Sequence, residues 1–335
     1  MNRTVRRCIA LAIPLCLALV LLARASHTTV SSPGATQSSS AILPDPVPEM
    51  IGEGIISTPG DELGGNLTAD GQTLYFEKSA APHYLYIMYE SHFVAGKWST
   101  PAVLPFSGLY RDTDPVLSPD GQTLLFASDR PVNGKDTHHF YIWSCTKTPK
   151  GWGEPQLMHG PVNDGFNQVF ASVASNGNLY FASSRKSGHY DIFRSRLVDG
   201  KYQDAEDLGP DFNGPGINSF EAFISPDESF LLIGSFGRAE TVGSSDLYIA
   251  YNQNGVWGKP KNLGPVINTK ARDYSPRISG DGKWLLYTSE RGGPTDPRTT
   301  PYTYKEFVAE TRGLYNGLGN LYRIPLDYVL RTTKP

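Results

Sequence analysis

Short apolar runs and tight polar turns alternate along this chain, and one unit sets the pattern. Leu117 to Arg130, LSPDGQTLLFASDR, reads as strand end, turn, strand. Pro119 fixes φ, Asp120 can bond nearby backbone, and Gly121 takes positive φ at little cost. Thr123 to Phe126 is a short apolar run of strand type. The unit recurs as TADGQTLYFEKSA from Thr68, ASNGNLYFASSRKSG from Ala174, SPDESFLLIGSFGR from Ser225 and SGDGKWLLYTSERGG from Ser279. Its turn residues Asp70, Asp120, Asn176, Asp227 and Asp281 are spaced by 50, 56, 51 and 54 positions. Strand chemistry at a period of about 50 residues indicates a propeller or a repeat array.

Each repeat shows four strands. An inner strand precedes the turn, as in Asp114-Pro115-Val116-Leu117, and a second follows it. A third carries a polar-apolar-aromatic signature: Tyr84-Leu85-Tyr86, His139-Phe140-Tyr141, Asp191-Ile192-Phe193, Asp246-Leu247-Tyr248 and Asn320-Leu321-Tyr322. A fourth opens near an aromatic, at Trp98, Trp152, Tyr202 and Trp257. Four strands per unit make a propeller blade. The last repeat lacks its outer strand, and Val47-Pro48-Glu49-Met50-Ile51 stands where that strand is needed. The expected fold is all-β: a five-bladed β-propeller closed by an N-terminal strand, with a six-bladed ring as the alternative. Closure would remove two open sheet edges.

The residues Ser118-Pro119-Asp120-Gly121, Ser183-Ser184-Arg185, Ser289-Glu290-Arg291-Gly292-Gly293 and Asp191-Ile192-Phe193 resemble the TolB-type, WD40-like (PD40) β-propeller repeat. The resemblance covers about residues 47 to 328. It implies periplasmic or extracellular proteins that often work by protein–protein contact, and says little about function, because such propellers serve many roles. The turn is also similar to the sialidase Asp-box, but Asp120 and Gly121 are adjacent where that motif has a residue between them.

The first 25 residues read as a signal peptide. Arg3, Arg6 and Arg7 precede an apolar core of 14 residues, Ile9 to Leu22, and Ala23-Arg24-Ala25 suits signal peptidase, with cleavage before Ser26. A retained anchor is the alternative, although the run is short for a span. Residues 26 to 45 are rich in Ser, Thr and Pro and read as a disordered tether, leaving 46–330 as the single propeller domain. Cleavage removes Cys8 and Cys16, so Cys145 stays alone and an internal disulfide is impossible. It also removes four arginines, which takes the formal charge from −3 to −7. That balance argues against nucleic acid or anionic lipid as partner. A periplasmic or secreted monomer without cofactor is expected.

Strand order places the loop entering each inner strand and the loop between second and third strands on one rim. Aligned on the turn, the entering loops give a column of Glu62, Asp112, Gln168, Ser219 and Asp273. The preceding column is Asp61, Arg111, Asn167, Asn218 and Arg272, and two places further on come Gly64, Asp114, Phe170, Glu221 and Ser275. A ligand site at this mouth would draw on Glu62, Arg111, Asp112, Gln168, Asn218, Glu221, Arg272 and Asp273. The competing reading is that these side chains cap strand starts around a wet channel. Arg130, Arg185 and Arg291 recur after the second strand, which suits scaffold, with a carboxylate such as Asp191 as partner.

The rim loops differ between blades, and difference within repetition points to function. The largest insertion, Gly292 to Gly319, carries Tyr302 and Tyr304 and a short helix over Tyr304 to Gly313. His138, His139 and His189 show no metal-ligand spacing, and neither a phosphate loop nor a nucleophile elbow is present. The leading expectation is a module that binds an envelope protein or cell-wall glycan at the loop-rich mouth. The alternative is a glycoside hydrolase using Asp112, Asp114, Glu221 and Asp273, which would need two carboxyls roughly 5 to 9.5 Å apart.

Overall fold

The computed structural model describes residues 44–80, 84–186, 188–293 and 298–334. The signal peptide and nearly all of the tether lie outside these residues. Five antiparallel sheets form the blades of a propeller within one compact unit, Asp45–Pro335. The inner strands are Asp61–Leu67, Asp112–Leu117, Gln168–Val173, Asn218–Ile224 and Asp273–Ile278. The second strands are Thr73–Ala80, Thr123–Ser128, Leu179–Ser183, Phe230–Phe236 and Trp284–Ser289. Each pair is joined by the Asp or Asn turn. In four of them the acid bonds within its own turn, as where the Ser118 hydroxyl and the Gln122 amide both donate to Asp120. The Asx geometry is what makes the motif repeat.

The third strands, Leu85–Val94, Tyr141–Thr148, Asp191–Ser195, Asp246–Gln253 and Asn320–Pro325, correct the sequence phase in two blades. Tyr141 pairs with Ser128 as Asp191 pairs with Ser183, so Tyr141-Ile142-Trp143 is the true counterpart of Asp191-Ile192-Phe193. In blade 1, Lys78 pairs with Ile87, which makes Ile87-Met88-Tyr89 the counterpart. The signature read from sequence stands two residues early in blade 2 and three early in blade 1, and only the strand pairing fixes the register.

The outer strand is broken into two short pieces. In blade 4, Val256–Trp257 closes a hairpin and Lys261–Asn262 pairs further back on the same third strand. Pro260 stands between them, as Pro101 and Pro155 do in blades 1 and 2, and proline has no N–H for the ladder. Blade 5 takes its outer piece from the other end of the chain. Glu49 pairs with Arg323 and Met50 with Tyr322. Ile51 N donates to Leu321 O at 2.8 Å, and Arg323 Nη2 meets Glu49 Oε2 at 2.8 Å. The ring is therefore five-bladed and closed by the N-terminal segment. Where the other blades carry their outer hairpin, blade 5 continues into an amphipathic helix over Leu326–Thr333, which buries Leu326, Tyr328 and Val329. The insertion helix α1 itself spans Tyr304–Thr311.

The core lies between blades. Val116, Phe181, Leu232, Leu285 and Ile324 belong to one cluster that runs through blades 2 to 5, while blade 1 packs Phe76 beside Leu286 on one side and Tyr75 beside Leu124 on the other.

Candidate functional site

The inner strands all begin at one rim, here the upper rim. The column expected to face a ligand is buried there and bonded to its own blade. Asp112 accepts from the Ser128 hydroxyl at 2.7 Å and from Arg130 Nη2 at 2.6 Å. Asp273 accepts from the Thr269 hydroxyl at 2.9 Å, with Arg291 at 3.5 Å. Gln168 bonds Asp164 and Ser183, and Ser219 bonds Phe212 O and Ser235. Glu62 holds Lys78 at 2.9 Å and the Thr58 amide at 2.9 Å. Burial pushes the carboxyls of Glu62, Asp112 and Asp273 up from their ordinary range, against the pull of these partners.

The recurring arginines complete this frame. Arg130, Arg185, Arg238 and Arg291 each reach back to carbonyls of the loop entering their blade, at Phe106, Val162, Phe212 and Ile267 respectively. The acidic partners of Arg130, Arg185 and Arg291 are Asp112, Asp164 and Asp273, not the Asp191 expected from sequence, and Arg238 bonds the hydroxyls of Ser219 and Ser235 instead. Arg238 escaped the sequence alignment because one extra residue, Gly237, precedes it.

Two residues into each inner strand the chain turns inward. A β-bulge interrupts all five inner strands, and in four it holds a left-handed residue: Gly64, Asp114, Phe170 and Ser275. The bulge separates Asp112, which faces its own blade, from Asp114, which faces the next one. Each left-handed residue has its amide capped from the preceding blade. Glu77 Oε2 accepts Asp114 N at 2.8 Å, and Asp114 Oδ2 accepts Phe170 N at 3.4 Å. Glu221 Oε2 accepts Ser275 N at 2.6 Å while its other oxygen takes the Ser275 hydroxyl at 3.0 Å. Thr288 Oγ1 accepts Gly64 N at 3.3 Å.

Glu77, Asp114 and Glu221 are thus buried carboxylates at blade junctions, with the buried Arg277 as their common counter-charge. Arg277 Nη1 donates to Pro276 O at 2.9 Å, while its Nε and Nη2 have no hydrogen-bond partner among the described residues. Burial pushes Glu221 up to about 7, although Arg277, Arg272 and Ser275 pull it down. Burial likewise raises Glu77, and it raises Asp114 further because the Glu77 charge adds to it. Glu77 sits on a second strand and was not among the sequence candidates.

Above this belt the upper rim is aromatic and cationic. Arg272 lies 4.1 Å over the Tyr274 ring and 5.4 Å from Phe220. Arg111 pairs with Asp129 at 2.7 Å and lies 4.8 Å over Phe140. Asn218 caps the Tyr190 amide at 3.3 Å. Helix α1 stands on the rim with no buried residue, held by a capping box between Thr303 and Glu306. The Tyr302 hydroxyl donates to Glu310 at 2.7 Å beneath Arg298, and Tyr304 is 84% exposed. Among the described residues, most large apolar side chains left exposed sit on this rim: Ile55, Tyr84, Leu109, Phe166, Val242, Phe307 and Tyr315 join the two tyrosines. No three His, Cys, Asp or Glu of the described residues converge as metal ligands.

No family model matches the chain, and no curated protein does. Solved structures similar in outline include TolB from Acinetobacter baumannii, with 16% identity over 79% of this chain and 54% of that one, at a TM-score of 0.45. A Dyadobacter fermentans protein of unknown function shares 13% over 73% of this chain and 79% of its own, at 0.44. A thermostable family-43 glycoside hydrolase shares 10% over 79% of this chain and 89% of its own, at 0.46. The five-bladed fold is read from this chain's own strand pairing.

Proposed function

We propose that this chain is an exported binding module whose partner, an envelope protein, docks on the upper rim. The observation that carries this reading is the concentration of exposed aromatic and aliphatic side chains there, beside the stacked cations Arg111 and Arg272. Aromatic and arginine side chains are the usual anchors of protein interfaces. Helix α1 adds a second support. It has eight residues and none is buried, and a helix that short is marginal without tertiary packing. A docked partner supplies the packing that the propeller does not.

A glycoside hydrolase is the second reading, favoured by the raised carboxyl of Glu221. Against it, Glu77, Asp114 and Glu221 are each at most 2% exposed and already hold blade-junction amides. The test pairs a Tyr304→Ala/Phe307→Ala variant with a Val198→Ala/Val256→Ala control from the opposite rim. The partner captured by the parent from envelope extract is titrated against both, beside a glycan array. The rim variant is expected to bind about tenfold or more weakly, as loss of a hot spot does. Equal binding by the parent and both variants would remove the upper rim from consideration.

A further inference from the structure

The other end of the channel is different in kind. At the lower rim, where inner strands turn back, the chain encloses a cavity of ≈ 640 Å³. Its wall takes at least one apolar residue from every blade, among them Leu67, Val116, Val173, Phe223 and Ile278, and Leu330 from the C-terminal helix. That volume is in the range of small-molecule sites, roughly 300–1,000 Å³. The mouth of the cavity is set with turn carboxylates, Asp120, Asp227 and Asp281. No lysine, arginine or histidine is among the described residues that line it. Lys283 pairs with Asp281 at 3.0 Å, but its side chain is 74% exposed and it does not line the cavity.

We propose that this cavity is a binding site for a small organic amine: a compact apolar body seated among Leu67, Val116, Val173, Phe223, Ile278 and Leu330, and a cationic head at the Asp120, Asp227 and Asp281 turns. The apolar wall supplies non-directional burial. The ring of like charge supplies the choice of head group, since an anion there meets repulsion and a cation attraction. The carboxylates are held ionised by their own turns. Hydrogen bonds from the Ser118 hydroxyl and the Gln122 amide keep Asp120 below its usual range, and those from Ser229 and Ser225 do the same for Asp227. The site lies at the opposite end of the inner strands from the upper rim, so it stands or falls independently of the partner proposed there.

Three probes with one body separate the contributions: 4-phenylbutylamine, 4-phenylbutan-1-ol and 4-phenylbutyrate, titrated calorimetrically into the purified protein. The amine is expected to bind about tenfold or more tightly than the carboxylate, with the alcohol between them, and the gap narrows as salt rises. Asp120→Asn/Asp227→Asn keeps the turn acceptors and brings the amine down to the alcohol. Leu330→Trp pushes a bulkier ring into the apolar wall and weakens binding of all three. Ala69→Arg, at an exposed position on the cavity mouth, narrows the gap between the amine and the carboxylate, and it needs no change to the core. Equal binding of the three probes, no binding of the amine, or an amine affinity unmoved by both Leu330→Trp and Ala69→Arg would overturn the assignment.

Discussion

The carboxylate of Glu77 in blade 1 caps the left-handed amide of Asp114 in blade 2, 2.8 Å away. The contact crosses a blade junction and is buried at both ends. It explains why an acid is tolerated in the middle of a propeller. A non-glycine residue at φ 58° presents its N–H away from the ladder, and a buried N–H without an acceptor costs about 1–3 kcal/mol.

Replacing Glu77 by alanine should therefore lower unfolding free energy by about 2–3 kcal/mol in denaturant titrations at neutral pH. Glu53→Ala, on the exposed surface, should stay within about 0.5 kcal/mol of the parent. Indistinguishable midpoints for the two variants would show that the junction does not depend on this cap.

Glu221 makes a tighter demand on its neighbour. A Cβ on Gly234, the residue paired with it in the second strand, would lie 1.9 Å from Glu221 Oε2. Gly234→Ala is expected to destabilise by about 2 kcal/mol or more, as overpacking does. In a double-mutant cycle with Glu221→Ala, the two losses should fall short of additivity by about 1 kcal/mol or more. Strict additivity would mean that the clash is relieved elsewhere.

The raised carboxyl of Glu221 gives a pH signature of definite sign. Folded protein keeps this proton up to about 7, whereas an unfolded chain releases it near the ordinary glutamate value of 4.5. Between those values the folded state binds more protons, so this group makes stability fall as pH rises toward 7, and the loss is complete above it. Glu221→Gln preserves both bonds to Ser275, because the amide oxygen can accept the Ser275 N–H while the amide nitrogen donates to its hydroxyl. The variant should show a flatter stability profile between pH 4.5 and 8, gaining on the parent by up to the order of 3 kcal/mol at the upper end. A parallel profile for parent and variant would contradict the assignment.

Ring closure predicts an asymmetry between two truncations. Removing everything up to Ser57 strips the blade 5 edge of Glu49, Met50 and the buried Ile51 and Ile56, and should prevent cooperative folding. Removing only residues 26–40 should leave the melting temperature unchanged. Circular dichroism melts of both forms decide the matter, and equal effects would refute closure by this segment.

Blade number, closure and the turn scaffold were legible because they rest on repetition: Asp70, Asp120, Asp227 and Asp281 recur with the same neighbours. The inward belt was harder to read. The bulge after Asp112 sends Asp112 and Asp114 to different surroundings, although a regular strand would put them on one face. Four bulges use a left-handed residue, and only one of these, Gly64, is a glycine that would announce it. Glu77 offered a fainter signal. The equivalent positions in the other second strands are Ala127, Ala182, Gly234 and Thr288, all small, so an acid in that column is the outlier. The exposed upper rim came from loop length alone, since no repeat constrains the insertion around α1.

Blade 5 gathers both described ends of the chain. Glu49 is strand-paired with Arg323, and the hydroxyl of Tyr328 in the C-terminal helix is raised by burial and then by the neighbouring Asp45. The ring consequently has no privileged starting point. A short peptide joining the region of Asp45 to that of Lys334, with new ends opened at an exposed turn such as Asp120-Gly121, would give a circular permutant with the same five sheets. Such a permutant would carry any fused tag or tether on the lower rim.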